Sequence, residues 1–192
     1  MPIVGSFGGA SARAYGAGAG GVLIGDFESI QTITAGSAVA NIEFTSIPQT
    51  YTHLQIRAIG RSTFADNDLL VQYQLNGDTG TNYSEHAVYG TGASRTSYQN
   101  TNTSVPGAFR VTGASSTANS FGVGVMDILD YRNTNKFKTS RCLIGHDQNG
   151  AGLIFLWSSN WRNTNAITSI KFFPSSGSFA TNSTFALYGV TA

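Results

Sequence analysis

His53–Ala58 reads HLQIRA, and its alternation decides the fold. Leu54, Ile56 and Ala58 fall on one side of an extended chain, and His53, Gln55 and Arg57 on the other. A period of two marks a strand with one buried face. The pattern spreads outward in both directions. Asn41–Ile47 reads as a strand with Ile42 and Phe44 on one face, and Pro48 stops it because proline cannot donate to a central ladder. Leu69–Leu75 reads as another, stopped by Asn76-Gly77-Asp78. Phe109–Thr112, Phe121–Tyr131, Lys136–Ile144, Gly152–Ser158, Ile167–Phe173 and Thr184–Val190 complete the set. In Phe121–Tyr131 the residues Val123, Val125, Asp127, Leu129 and Tyr131 share a face. A short helical turn is expected near Tyr83–Ala87. Roughly nine or ten short strands between Gly/Asn/Ser turns predict an all-β chain, an antiparallel β-sandwich of jelly-roll-like form. That single domain is expected over residues 26–192.

Composition narrows the function classes. Hydrophobic residues make up 41% of the 192, enough for a core, while only 11% are charged, well below the roughly 25% of ordinary soluble domains. A net charge of +1 lacks the dense basic footprint of a nucleic-acid binder, so no nucleic-acid partner is expected. A weakly charged surface tends to associate. Cys142, the single cysteine, excludes an intrachain disulfide framework and a thiolate metal cluster; within TSRCLIG it reads as a small buried hydrophobe. No apolar run reaches the length of a membrane span, and the N-terminus does not read as a secretory signal, so no membrane insertion is expected and assembly is expected in cytoplasm.

Residues 1–25, MPIVGSFGGASARAYGAGAGGVLIG, read as an extended arm too rich in glycine to order itself. Fixing each residue costs roughly 1–2 kcal/mol, and glycine loses the most freedom. Offsetting that requires on the order of 1,000 Å² or more of buried apolar surface at about 25 cal/mol per Å², or continuous backbone pairing. The few apolar residues, Ile3, Val4, Phe7 and Tyr15 first among them, are therefore candidates for anchoring the arm to a partner.

Motifs for chemistry are weak. Gly16–Gly21 has no preceding strand and no following helix, so it is not a dinucleotide fingerprint. His53, His86 and His146 have no zinc-site spacing, and no nucleophile elbow surrounds any serine. Asp66-Asn67-Asp68, Asn76-Gly77-Asp78 and Asp147-Gln148-Asn149-Gly150 are oxygen-rich, yet each offers fewer than the six to eight or so ligands calcium takes; turn formation accounts for them better. Asn-Thr-Asn recurs at 100–102, 133–135 and 163–165, and is read as turn chemistry, since Asn tolerates left-handed backbone. Carboxylates for glycoside chemistry would have to come from Glu28, Glu43, Glu85 or the few aspartates. Asp127 or Asp130 is expected to be buried and hydrogen-bonded to turn amides or to Arg132 or Arg141. Trp157, Trp161 and Tyr98 are candidate glycan or interface contacts; the alternative, which is preferred, is that Trp157 is core and Trp161 fills a subunit interface. No enzyme, cofactor or metal centre is expected.

Five stretches carry a resemblance: IEFTSIPQTYTHLQIR (Ile42–Arg57), LNGDTGTNY (Leu75–Tyr83), MDILDYRNTNKFKT (Met126–Thr139), WRNTNAITSI (Trp161–Ile170) and SFATNSTFALYGV (Ser178–Val190). In their order and spacing the chain resembles a family of small tailed-bacteriophage virion structural proteins, described as short tail-fibre-like or appendage proteins. MPIVGSFGG also resembles segments by which phage fibres attach to the particle. The resemblance implies a virion protein made in host cytoplasm, anchored to other virion proteins by its arm, forming a homotrimer and presenting its sandwich to the host surface. The alternatives are a capsid decoration protein of the same architecture, and a free-standing carbohydrate-binding module.

Overall fold

A computed structural model describes residues 26–191; the arm with Ile3, Val4, Phe7 and Tyr15 lies outside them. Twelve strands follow one another: β1 (Phe27–Thr34), β2 (Ile42–Phe44), β3 (His53–Gly60), β4 (Asp68–Leu75), β5 (Tyr83–Gly90), β6 (Arg95–Thr103), β7 (Gly107–Thr112), β8 (Gly122–Ile128), β9 (Lys138–Asp147), β10 (Gly152–Trp161), β11 (Ile170–Pro174) and β12 (Thr184–Val190). They form an eight-stranded sheet, ordered β1-β12-β3-β8-β9-β10-β5-β6, and a four-stranded sheet, β2-β11-β4-β7. Every neighbouring pair is antiparallel. The chain is thus an all-β sandwich of two unequal antiparallel sheets.

The alternation in HLQIRA holds: Leu54, Ile56 and Ala58 are buried, and Arg57 is exposed. In the small sheet the inward row is Ile42, Phe44, Leu69, Val71, Tyr73, Leu75, Phe109, Val111, Ile170 and Phe172. Phe172 sits among the rings of Phe44, Tyr73, Phe109 and Phe185, with centroids 5.3–6.5 Å away. Tilted and edge-on rings at that spacing add to the area they bury. Strand β7 lies across β8 and β9 and touches β3 and β10, so the small sheet caps the centre of the large one.

Three expectations change. Tyr83–Ala87 is not a helical turn but the first half of β5, with Tyr83, Glu85 and Ala87 inward. Period two over YSEHA, not a helical repeat, places those three on the core. Strands β1 and β6 went unread, and β6 (RTSYQNTNT) has almost no apolar residue to signal it. Finally, Val123, Val125 and Asp127 share a face as expected, the outward one, but Tyr131 does not join it: it lies past the end of β8 and is 0% exposed. Gly122, Gly124, Met126 and Ile128 face the core, because the Phe109 ring covers Gly124 so closely that a Cβ there would lie 2.4 Å from it.

Turns follow the asparagine chemistry. Asn76, Asn102, Asn119, Asn149 and Asn182 all have positive φ, the left-handed region Asn reaches at low cost. The two RNTN tetrads each make the same hydrogen bond. Asn133 Oδ1 accepts from Asn135 N at 2.8 Å, and Asn163 Oδ1 accepts from Asn165 N at 2.9 Å. The remaining Asn-Thr-Asn, residues 100–102, is instead part of β6, at the register shift opposite Tyr83 and Glu85. The aspartate-rich segments also make turns: Asp66 Oδ1 accepts from Asn67 N and Asp147 Oδ1 from Asn149 N, both at 2.7 Å. Among the described residues no group of three His, Cys, Asp or Glu side chains is placed to hold a metal.

Candidate functional site: the outer face of the large sheet

The inner face of the large sheet is closed by aromatic residues. Trp157 and Trp161 are each 1% exposed. Trp157 is core, as the preferred alternative has it, but neither a glycan-stacking surface nor a subunit contact of Trp161 holds, since neither a sugar nor a neighbour can reach either indole face. Both point inward by the alternation of β10, and both indole N–H groups are consumed. Trp157 Nε1 donates to Glu85 Oε2 at 3.0 Å, and Trp161 Nε1 donates to Asp78 Oδ2 at 2.7 Å. Tyr98 is half-buried and packs edge-on against Phe155 and Trp157. Burial raises its phenol above the ordinary range, and the nearby Glu85 adds to this.

The titratable residues singled out from sequence are also structural. Glu85, buried, accepts Gly107 N at 2.6 Å and Trp157 Nε1 on Oε2, and Asn100 Nδ2 at 2.7 Å on Oε1. Three donors from β6, β7 and β10 converge on one carboxylate, which ties the sheet edge to the small sheet. Glu85→Gln keeps the volume but turns one acceptor into a donor. We expect it to cost about 2–3 kcal/mol, the value of hydrogen bonds to a charged group, read as a lower urea midpoint. A midpoint unchanged from wild type would contradict this role.

At Asp78, burial works to raise the carboxyl pKa, but donors from Trp161, Asn82 and Gly80 outweigh it and hold the pKa below the usual value. Asp127 accepts from Gln55 Nε2 at 2.9 Å and pairs with Arg141 at 3.2 Å, while Asp130 pairs with Lys136 at 2.6 Å and its backbone N–H donates to His53 Nδ1 at 2.9 Å. Cys142 is buried and its thiol is pushed well up by burial, consistent with an inert core residue.

What sequence reading missed is the outward face of the large sheet. The strand registers align two apolar rows across it. One row runs Arg57, Val125, Leu143, Leu156, Val88 across β3, β8, β9, β10 and β5. The next runs Ile59, Val123, Gly145, Ile154, Gly90 across the same strands. The seven large apolar side chains in these rows are 37–61% exposed. They bare on the order of 500 Å² of apolar surface, at the upper end of the roughly 300–600 Å² largest patch of a monomer. Shallow troughs follow the rows, one along Val123, Leu143, Gly145 and Ile154, the other beside Val88 and Leu156. On one flank stands a polar row: Gln55, Asp127, Arg141, Ser158, His86 and Gln99. At a corner, Phe27 stacks on Tyr188 at 4.7 Å with Arg57 over both rings. The signal was present in VGV, CLIG and FLW, where alternation was visible but the core-facing side was not.

No protein-family model matches the chain, and no match is found among curated proteins or solved structures.

Proposed function

We propose that this chain is a structural component of a bacteriophage particle: a β-sandwich head anchored to other virion proteins through residues 1–25. The observation that carries this reading is the bare double row on the large sheet. A contiguous apolar patch at the upper end of the monomer range is often functional, and such patches mark contact surfaces. A chain with only 11% charged residues suits repeated association better than free diffusion. The virion setting rests on the resemblance of Ile42–Arg57, Met126–Thr139 and Ser178–Val190 to phage structural proteins. Within it, a tail-associated appendage meeting the host surface is our first placement, and capsid decoration the alternative.

The test is particle assembly. Deleting residues 1–24 from the phage-encoded gene should give a folded head, with wild-type circular dichroism, that is absent from purified particles. Normal incorporation of the truncated protein would overturn the anchor. Mass-spectrometric copy number per particle then separates the locations, low for an appendage and high for decoration.

A further inference from the structure

We infer that the outer face of the large sheet is a self-complementary interface that a second copy of this chain covers about a two-fold axis. This deepens the assembly reading above and rests on it.

Two glycines point to a close partner. Mid-strand glycine is unfavourable, and it often marks a site where another surface approaches closely. Within the chain most strand glycines have evident reasons. A Cβ on Gly107 would meet the Trp157 ring at 2.0 Å, one on Gly189 the Tyr51 ring at 2.3 Å, and one on Gly124 the Phe109 ring at 2.4 Å. Gly145 and Gly90 have none. A Cβ there finds its nearest neighbour at 3.5 and 3.7 Å, ordinary contact distances, and neither has the positive φ that demands glycine. Both lie on the outward face, in the row beside Leu143 and Val88.

A two-fold axis across the strands, passing over Ile144, exchanges the two rows. Leu143 of one copy then faces Gly145 of the other, Val88 faces Gly90, Leu156 faces Ile154, and Val125 faces Val123. In the two glycine pairs a protruding side chain meets a position that lacks one; the Leu156/Ile154 and Val125/Val123 pairs are apolar on apolar, and on β3 Arg57 faces Ile59. The axis also sets Arg141, three residues before Ile144, against Asp147, three residues after it. Both lie on β9, the middle of the five strands, where the twist between stacked sheets displaces opposed residues least. The rows plus their polar flank amount to roughly the 800 Å² per partner of a standard stable interface.

The experiment is sedimentation of the full chain and of full-chain variants. Wild type is expected to sediment as a dimer. Gly145→Leu, whose added Cβ meets nothing closer than 3.5 Å within one copy, should sediment as a monomer with wild-type circular dichroism. Asp147→Arg should raise the dimer Kd roughly tenfold, about 1.4 kcal/mol, and Arg141→Asp combined with it should restore association. A wild-type monomer or trimer, a dimer unaffected by Gly145→Leu, or no recovery in the double variant overturns the inference. The particle test is read independently. If wild type is monomeric yet Gly145→Leu is lost from particles, a different partner covers the face and only the self-pairing fails. If Gly145→Leu is monomeric and still incorporates, the self-pairing stands and the face has no role in assembly.

Discussion

Gly107→Ala is expected to unfold the protein or leave it barely stable. The added Cβ would lie 2.0 Å from Trp157 Cζ2, 2.2 Å from Cη2 and 2.6 Å from Cε2, so something must move. Neither side is free to do so. The indole is stacked on Phe155 at 4.8 Å, meets Tyr98 edge-on at 5.9 Å and is bonded to Glu85 through Nε1. The Gly107 backbone is bonded to the same Glu85 oxygen. Moving the strand breaks that bond, and moving the ring breaks its partner bond. Overpacking a rigid core costs about 1–3 kcal/mol and sometimes more. Here it is compounded by a buried carboxylate losing a donor, about 1–3 kcal/mol again. Against total stabilities of about 5–15 kcal/mol, that is a large share. Urea titration followed by tryptophan fluorescence is the measurement. Gly145→Ala, with its nearest neighbour at 3.5 Å, is the control and should shift the midpoint little. A Gly107→Ala midpoint equal to that of the control would refute the packing described around Trp157.

Lys138→Met is the second large effect. Lys138 is buried, and its Nζ donates to the carbonyl oxygens of Asn133 at 2.5 Å, Lys136 at 2.8 Å and Thr164 at 3.0 Å. Burial lowers its ammonium pKa, and Asp130 works against that shift. Methionine preserves the apolar stem but leaves three carbonyls without their donor, at about 1–3 kcal/mol for each that stays unsatisfied. We expect a loss of about 3 kcal/mol or more. The distinguishing readout is where the loss falls. Asn133 and Thr164 belong to the two different RNTN turns, so one ammonium braces both. Other braces converge nearby: Arg132 donates to Gln49 O at 3.1 Å, Arg162 donates to Thr81 O at 2.7 Å, and Ile167 N donates to Tyr131 O at 3.0 Å. Hydrogen exchange at the Asn135 and Asn165 amides should therefore quicken together in Lys138→Met. Quickening at Asn135 alone would show that the turns are independent and the shared brace is unimportant.

How much of this was legible beforehand differs by element. The strand character of His53–Ala58 and Leu69–Leu75 was written in the local alternation, and that of Thr184–Val190 in a short run of apolar residues. So were the turns at Asn76, Asn133, Asn149 and Asn163, because asparagine's tolerance of left-handed backbone and its side-chain turns are properties of a few adjacent residues. Alternation alone could not choose a face for β8. In FGVGVMDI both sides carry apolar residues, the two valines on one and Met126 and Ile128 on the other, and the side with the glycines is buried, since Phe109 arrives from a strand in the other sheet and occupies the space a side chain at Gly124 would take. Strand β6 was invisible for a related reason: it forms because β5 offers it a ladder, not because its own residues prefer burial.

The candidate site divides in the same way. Sequence alone determined that the chain is all-β, weakly charged, poor in catalytic motifs and punctuated by asparagine turns, because each of these depends on composition or near neighbours. Only the tertiary structure decided that Trp157 and Trp161 turn inward onto Glu85 and Asp78, that Lys138 joins two turns, and that four registers across five strands align seven apolar side chains and two glycines into two bare rows. Those outcomes depend on which strands become neighbours and in what register. That pairing is set by contacts between residues far apart in the chain, and no local pattern of residues encodes it.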